Sequence, residues 1–212
     1  SFDSTVDISN WDVSAVTNFE SMFQDCSNFN NNIFTINTSN TPNVNMKSMF
    51  SGCTIFNKDI SSWNVNGVTN MNSMFKDCSN FNSSYMNNWA NGGAAPSEGW
   101  INTETYSGLT NVTDMGFMFA NCYMFNRSLR RWHLPKVTNF ESMFQDCSSY
   151  NNKDTEKMFQ IDTTELSNVN MKSMFSGCTS FDRDICWNVS GVTNMNSMFL
   201  NCISFNQDIT IG

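Results

Sequence analysis

The residues best suited to chemistry in this sequence are its eight cysteines and its single histidine, His133. Seven of the cysteines close the same short motif, M-F-x-x-C, and Cys186 lies outside it. The seven are Cys26, Cys53, Cys78, Cys122, Cys147, Cys178 and Cys202. No two cysteines have the C-x-x-C spacing typical of zinc and redox sites, and one histidine is too few for most histidine-based catalysis. We therefore expect no metal, no cofactor and no enzyme activity.

Two states are open to the seven repeated thiols. One cysteine per repeat on a buried face predicts a ladder of small, packed, free thiols. Disulfides between adjacent repeats are the alternative if the Cα atoms lie within about 4.4–6.8 Å, although an odd number cannot pair completely.

Acidic residues recur as well, at Asp59, Asp184 and Asp208. We interpret these as caps of turns rather than as calcium ligands, because other repeats lack the acid.

Charge and hydropathy exclude two classes of partner. The 212 residues carry 11 Lys and Arg against 19 Asp and Glu, a net charge of −8. Nucleic-acid binding requires a basic surface, so we expect no nucleic-acid partner. No apolar run approaches the roughly 18 residues of a membrane span, so we expect no membrane insertion.

The M-F-x-x-C motif belongs to a repeat of about 25 residues that occurs seven times. Its fullest copy, residues 56–81, reads FNKDISSWNVNGVTNMNSMFKDCSNF. A larger cassette, residues 16–81, is duplicated as residues 137–205, and an insert occupies residues 82–111. We therefore predict one repeat array over residues 1–212 instead of separate globular domains.

Each repeat predicts one helix and one strand. Val68, Met71, Met74 and Phe75 have the spacing of one helical face, with Thr69 or Asn70 as its N-cap. The segment before it, centred on residues 59–61, is rich in β-branched and aromatic residues and favours a strand. One short parallel strand and one short helix per coil predict an α/β fold, a right-handed solenoid of seven coils with loop insertions.

The pattern FNxDISxWNVSxVTNMxxMFxxCxxFN resembles the repeat of BspA-like, mycoplasma-type surface proteins, a divergent relative of leucine-rich repeats. The resemblance spans essentially the whole chain apart from the inserts. It implies a leucine-rich-repeat-like solenoid that is secreted or attached to a cell or particle surface, with roles in adhesion and surface structure. It implies no catalytic residues.

The 34 asparagines have two interpretations. Those that follow the repeat Phe and those that precede the predicted helix favour a ladder in which side-chain amides satisfy backbone groups. The other interpretation is N-glycosylation, because N-x-S/T sequons begin at Asn37, Asn82, Asn111, Asn126 and Asn188. We expect the sequons at repeat positions to be structural, and Asn37 and Asn82 to lie in inserts that have room for a glycan.

Three inserts, residues 30–43, 82–111 and 151–168, should emerge from one edge of the solenoid. The longest carries four aromatic residues, Tyr85, Trp89, Trp100 and Tyr106. Exposed, they would contact a sugar or anchor a protein partner. The favoured interpretation is that they fold back as a small satellite core.

His133 stands beside Arg130, Arg131 and Trp132, where we expect a surface contact.

Two functions follow as hypotheses. The first is a non-enzymatic structural protein, a repeat segment of an extracellular fibre, sheath or adhesin that assembles by solenoid stacking. Neither end of the sequence resembles a polar capping repeat, which predicts head-to-tail assembly with further copies or a place within a longer array. The alternative is an adhesin that binds a glycan or a host protein through its inserted loops. Both place the protein outside the cell, with itself, a surface protein or a glycan as partner.

Overall fold

Four short strands and one 3₁₀ helix are the regular elements of the computed structural model, which describes residues 6–84, 86–91, 108–151 and 158–209. These elements are β1 (Val44–Asn45), β2 (Val68–Asn70), the 3₁₀ helix Met86–Asn91, β3 (Val169–Asn170) and β4 (Val192–Asn194). Strand β1 pairs in parallel with β2, and β3 with β4. The register shifts inside each pair, because β2 and β4 read Val-Thr-Asn where β1 and β3 read Val-Asn.

One row of parallel bridges runs through all seven repeats. We number these repeats 1 to 7 by the residues around each M-F-x-x-C motif, 16–29, 44–56, 68–81, 112–125, 137–150, 169–181 and 192–205. The bridged residues are Asn18, Asn45, Asn70, Asp114, Asn139, Asn170 and Asn194. Each bridge joins equivalent positions of consecutive repeats, so the repeats lie side by side in sequence order.

The residues that follow this row form successive tight turns, and the described residues contain no α-helix. The N–H groups of Met74 and Cys78 donate to carbonyls three residues earlier. Alternate N–H groups, those of Met71, Ser73, Phe75 and Asp77, donate at 2.8–2.9 Å to the carbonyls of Asp114, Gly116, Met118 and Ala120 in the next repeat. An α-helix needs those N–H groups for its own i−4 carbonyls. The prediction of one helix per repeat is therefore wrong.

Left-handed backbone conformations explain how the turns follow one another. Two residues in every repeat have φ between 53° and 77°, and in repeat 3 they are Ser73 and Asp77. A positive φ at the third residue is the requirement of a type II turn, and Gly, Asn and Asp adopt it at least cost. The residue before each ladder cysteine is always one of these three types: Asp25, Gly52, Asp77, Asn121, Asp146, Gly177 and Asn201. The recurrence of Asp, Asn or Gly at this position is the sequence feature that favours turns over a helix.

The predicted strand is also displaced. Residues 59–61 lead into a turn in which the Asp59 carboxylate accepts the N–H of Ser61 at 2.9 Å. The strand lies later, at Val68–Asn70, where the apolar spacing predicts a helix N-cap. Asn70 does act as a local acceptor, since its Oδ1 receives the N–H of Asn72 at 2.9 Å. This Asx turn is the same local bond that an N-cap makes.

Stacked aromatic rings form the centre of the core. The first column runs through Phe23, Phe50, Phe75, Phe119, Phe144, Phe175 and Phe199, with centroids 5.4–5.8 Å apart. The second column runs through Phe29, Phe56, Phe81, Phe125, Tyr150, Phe181 and Phe205, at 5.6–6.1 Å. Within each repeat the two rings lie 4.2–4.6 Å apart. Each of repeats 2 to 6 thus buries its rings against both neighbours, which is how repeat proteins acquire stability.

Gly67 lies where two repeats approach too closely for a side chain. A Cβ at Gly67 would collide with the carbonyl oxygen of Thr41 and lie 2.6 Å from that of Thr38. We expect Gly67→Ala to lower the free energy of unfolding by about 1–3 kcal/mol, because the backbone must move. Urea denaturation checks this. Ala15→Gly is the matched control at the equivalent position of repeat 1 and should cost at most about 1 kcal/mol; equal losses would contradict the steric explanation.

Candidate functional site

The seven repeated thiols occupy equivalent positions of consecutive repeats, and six of them act as hydrogen-bond donors. All eight cysteines are free. From repeat 2 onward, each ladder Sγ lies 2.9–3.0 Å from the carbonyl oxygen of the motif Phe in the preceding repeat, as Cys122 does with Phe75. That oxygen also accepts the backbone N–H of its own repeat's cysteine. A thiol is small enough to be buried there and still donate, which supports the ladder of packed free thiols.

Burial makes these thiols poor nucleophiles. Loss of solvent raises the pKa of Cys53 to about 12, with the neighbouring Cys26 adding to the shift. The pKa values of Cys78, Cys122 and Cys178 are raised well above the ordinary thiol value, again chiefly by burial. Only the thiolate reacts with electrophiles or binds metals, so burial disfavours both kinds of chemistry at Cys53, Cys78, Cys122 and Cys178. Among the described residues, no cluster of three or more His, Cys, Asp or Glu side chains is placed to hold a metal ion.

Thiol alkylation should separate Cys186 from the ladder. Cys186 is exposed, whereas Cys53, Cys78, Cys122, Cys147 and Cys178 are buried. In native protein at pH 8 we expect iodoacetamide to modify Cys186 within minutes and the five buried thiols only after addition of urea. Peptide mass spectrometry over time measures this. Modification of Cys122 as fast as Cys186 without denaturant would contradict the buried ladder.

An asparagine ladder runs parallel to the thiols. In repeats 1 to 6, the side chain of the residue after the second ring accepts the backbone N–H of its equivalent in the next repeat, at 2.8–3.0 Å. Its members are Asn30, Asn57, Asn82, Asn126, Asn151, Asp182 and Asn206. The predicted amide ladder is therefore present. Asp182 makes the same bond as an asparagine would, and this bond lowers the pKa of its carboxyl group.

The sequon asparagines differ in how far their side chains are engaged. Asn82 and Asn126 belong to the amide ladder, so the expectation that Asn82 lies in an irregular loop is wrong. The Nδ2 of Asn111 donates to the carbonyl of Asn66 at 2.8 Å, and the Nδ2 of Asn188 donates to the hydroxyl oxygen of Thr164 at 2.9 Å. Asn37 is exposed, and its Oδ1 accepts the N–H of Ser39. Asn37 is thus the sequon best placed for a glycan, and its glycosylation stays a prediction.

Trp89 is a core residue, which corrects its assignment as a ligand contact. Its ring is fully buried between those of Trp63 and Trp132, at 6.4 and 6.2 Å, and its Nε1 donates to the carbonyl of Ile60 at 2.8 Å. The sequence contains a spacing that predicts the burial of Trp89. An apolar residue precedes each of these tryptophans by three positions, in the pairs Ile60–Trp63, Met86–Trp89 and Leu129–Trp132. Residues 82–91 are therefore part of a repeat, and the true insert begins after them.

The other predicted ligand contacts, Tyr85, Trp100 and Tyr106, lie outside the described residues and stay predictions. A deletion that tests Trp100 and Tyr106 should span only residues 92–107, because Met86 and Trp89 are buried, and Tyr85 is tested by a separate Tyr85→Ala substitution. His133 is exposed, with a parallel bridge to Gln160. Within the described segments, no helix has the length and apolar character of a membrane span.

The two outer repeats leave opposite backbone groups without partners. On repeat 7, which we call the donor face, the N–H groups of Met195, Ser197, Phe199 and Asn201 donate to no carbonyl in the described chain. On repeat 1, the acceptor face, the carbonyls of Asn18, Glu20, Met22 and Gln24 receive no N–H from the described residues. These are the positions that connect every internal pair of repeats, so the two faces are complementary.

Apolar side chains are exposed on the same two faces. Met195 is 42% exposed, whereas its equivalents in the other six repeats are at most 2% exposed. Met22 is 37% exposed, against at most 7% for its equivalents. Trp11, Phe19 and Met22 also line an open groove of about 550 Å³ on the acceptor face. The faces therefore have the apolar character of internal surfaces rather than of caps.

Comparison with known proteins agrees with the repeat pattern. The family model described as "Mycoplasma protein of unknown function, DUF285" matches the chain three times, over residues 1–108, 105–168 and 152–211. No curated protein and no solved structure matches it. The three matches together cover nearly the whole chain, which confirms its tandem-repeat organisation.

Proposed function

Because the chain belongs to the DUF285 family of Mycoplasma proteins, we propose that it is a non-enzymatic surface structural and interaction protein of the BspA-like type. Its seven repeats form a right-handed, leucine-rich-repeat-like solenoid. The protein acts outside the cell, on a cell or particle surface, as a segment of a fibre, sheath or adhesin. Its partners are further copies, other surface proteins or glycans.

One observation carries this proposal: the residue types that are conspicuous in the sequence make contacts between repeats. The ladder thiols bond to the preceding repeat, and the ladder amides bond to the next. The phenylalanines stack from repeat 1 to repeat 7. Groups that would act as nucleophiles or ligands elsewhere are engaged in holding the array together, which favours a structural role over catalysis.

Labelling of Cys186, the one exposed cysteine, tests the proposed surface location. A membrane-impermeant maleimide applied to intact cells of the source organism should modify Cys186 on the native protein. A Cys186→Ser variant expressed in the same cells is the matched control and should stay unlabelled. Labelling of Cys186 only after cell lysis would overturn the surface assignment.

A further inference from the structure

We propose that a repeat of the kind of repeat 1 selects a repeat of the kind of repeat 2 as its next neighbour, through side chains at their junction. We call residues 16–43 and 137–168 the type A units, and residues 44–67 and 169–191 the type B units. A type B unit directly follows each type A unit, so the chain contains the same junction twice. This selectivity goes beyond the proposed structural function, because it fixes the order of the repeats.

The first determinant is a carboxylate in the type A unit that meets two donors of the type B unit. Glu20 accepts the Nδ2 of Asn45 at 3.0 Å and lies 3.3 Å from the Nζ of Lys47. The residues that repeat these contacts in the second junction, at 3.1 and 3.0 Å, are Glu141, Asn170 and Lys172. Glu is followed by Lys at this position in no other pair of consecutive repeats. Exposed ion pairs stabilise little, so this contact serves chiefly to disfavour a wrong neighbour.

The second determinant is the space that a glycine of the type B unit leaves for an aspartate of the type A unit. Gly52 has a φ of 77°, and a Cβ there would collide with the Oδ1 of Asp25. Gly177, with a φ of 76°, stands in the same relation to Asp146. In the column of residues that precede the ladder cysteines, Asp is followed by Gly only at these two junctions. A unit with a side chain at this position would have to displace the aspartate.

The third determinant is a buried hydroxyl in the insert that ends each type A unit. The Thr38 hydroxyl accepts the N–H of Gly67 at 2.9 Å and donates to the carbonyl of Asn64 at 3.0 Å. The residues that make the same two bonds at the same distances in the second junction are Thr163, Gly191 and Asn188. Thr38 is only 3% exposed, so its hydroxyl depends on these two partners from the type B unit.

The insert also requires glycine at the end of the unit that follows. The Thr41 N–H donates to the Thr38 carbonyl at 3.1 Å, and this turn packs directly on Gly67. A Cβ at Gly67 would collide with the carbonyl of Thr41 and lie 2.6 Å from that of Thr38. The residues at this position before the repeats that do not follow a type B unit are Ala15, Asn43, Asn111, Lys136 and Asn168. The inserts at residues 30–43 and 151–168 are thus specificity determinants of the array.

Exchange of whole units tests this selectivity in the full chain. Replacing residues 44–67 by the other type B unit, residues 169–191, keeps all three determinants. The urea midpoint of this matched exchange should stay within about 0.5 M of the native value.

The mismatched exchange replaces residues 44–67 by residues 112–136, which carry Asp114, Gly116, Asn121 and Lys136 at the determining positions. Its urea midpoint should fall by at least about 1 M, because Lys136 meets the turn of the insert and Asp114 meets Glu20. Four substitutions restore the type B residues in the exchanged unit: Asp114→Asn, Gly116→Lys, Asn121→Gly and Lys136→Gly. Together they should recover at least half of the lost midpoint.

Point variants test the insert without exchange of a unit. Thr38→Val keeps the shape of the side chain but leaves the Gly67 N–H without its acceptor, and should lower the urea midpoint by about 0.5–1 M. Thr38→Ser keeps the hydroxyl and should lose less than half as much. Thr54→Val is the matched control, because the Thr54 hydroxyl donates to the Ser27 carbonyl across the same junction at an exposed site. It should leave the midpoint nearly unchanged.

Equal midpoints for the matched and mismatched exchanges would overturn the inference, as would a lack of recovery from the four restoring substitutions. A Thr38→Val variant as stable as Thr38→Ser would also contradict it. None of these results affects the labelling of Cys186, so failure of the selectivity can be told apart from failure of the proposed surface function.

Discussion

Raising the pH above about 9 should unfold this protein steeply. An unfolded thiol ionises near pH 8.5, whereas burial raises the pKa values of Cys78, Cys122, Cys147 and Cys178 in the folded state. Above pH 9 the folded chain therefore holds protons that the unfolded chain has lost. Each such thiol lowers the free energy of unfolding by up to about 1.4 kcal/mol per pH unit. The four together reach about 5 kcal/mol per unit, comparable with the whole stability of many domains.

Urea denaturation between pH 7 and 11 measures this slope. The stability contributed by the thiols is fully present below the unfolded pKa and falls as the pH rises toward the folded values. Cys122→Ala should reduce the slope by about 1.4 kcal/mol per pH unit, because one buried thiol is gone. Cys186→Ala removes an exposed thiol outside the ladder and should give the same slope as the native protein. A free energy of unfolding that is constant from pH 8 to 11 would contradict the mechanism.

Phe119→Ala should lower the free energy of unfolding by about 3–5 kcal/mol, the range for removing a large aromatic side chain from a core. Phe119 is fully buried in repeat 4. Its ring lies 5.8 Å from Phe75, 5.6 Å from Phe144 and 4.3 Å from Phe125. Truncation would open a cavity between three repeats at the middle of the array. Thermal and urea unfolding measure the loss.

The same substitution at the end of the column is the matched control. Phe199 is only half-buried and has a column neighbour on one side, Phe175 at 5.8 Å. We expect Phe199→Ala to cost about 1–2 kcal/mol, since part of its surface already contacts water. Similar losses at Phe119 and Phe199 would mean that the column does not stabilise the array through its neighbours.

Repeat spacing predicted which residues meet, because equivalent positions must stack in any array that joins consecutive repeats. The thiol and amide ladders follow from that alone, as does the run of buried phenylalanines. Local conformation was harder to predict. Turns that close between Met71 and Met74 and between Phe75 and Cys78 have a three-residue hydrogen-bond spacing, so their apolar pattern imitates that of a helix. The Asp, Asn or Gly before each ladder cysteine separates the two possibilities.

The candidate site was predictable only in outline. Contact between equivalent positions of consecutive repeats follows from the sequence, but the alternation of donors and acceptors on the two faces of a repeat depends on backbone geometry. The left-handed residues Ser73 and Asp77 turn alternate N–H groups toward the neighbouring repeat, and no side-chain pattern encodes that direction. Trp89 was misplaced for a different reason: it was counted with the insert although its spacing from Trp63 matches the repeat.

The direction of the bonds between repeats determines how the array would respond to force. In repeats 1 to 6, four N–H groups of each repeat point along the stacking direction to the next one, so tension along the array stretches the four bonds of each pair of repeats together. Since each repeat contacts only its neighbours, rupture at one pair leaves the others loaded but intact. An anchored array would therefore lengthen in discrete steps under pulling, and single-molecule extension records would show a series of small, similar yields instead of one large one.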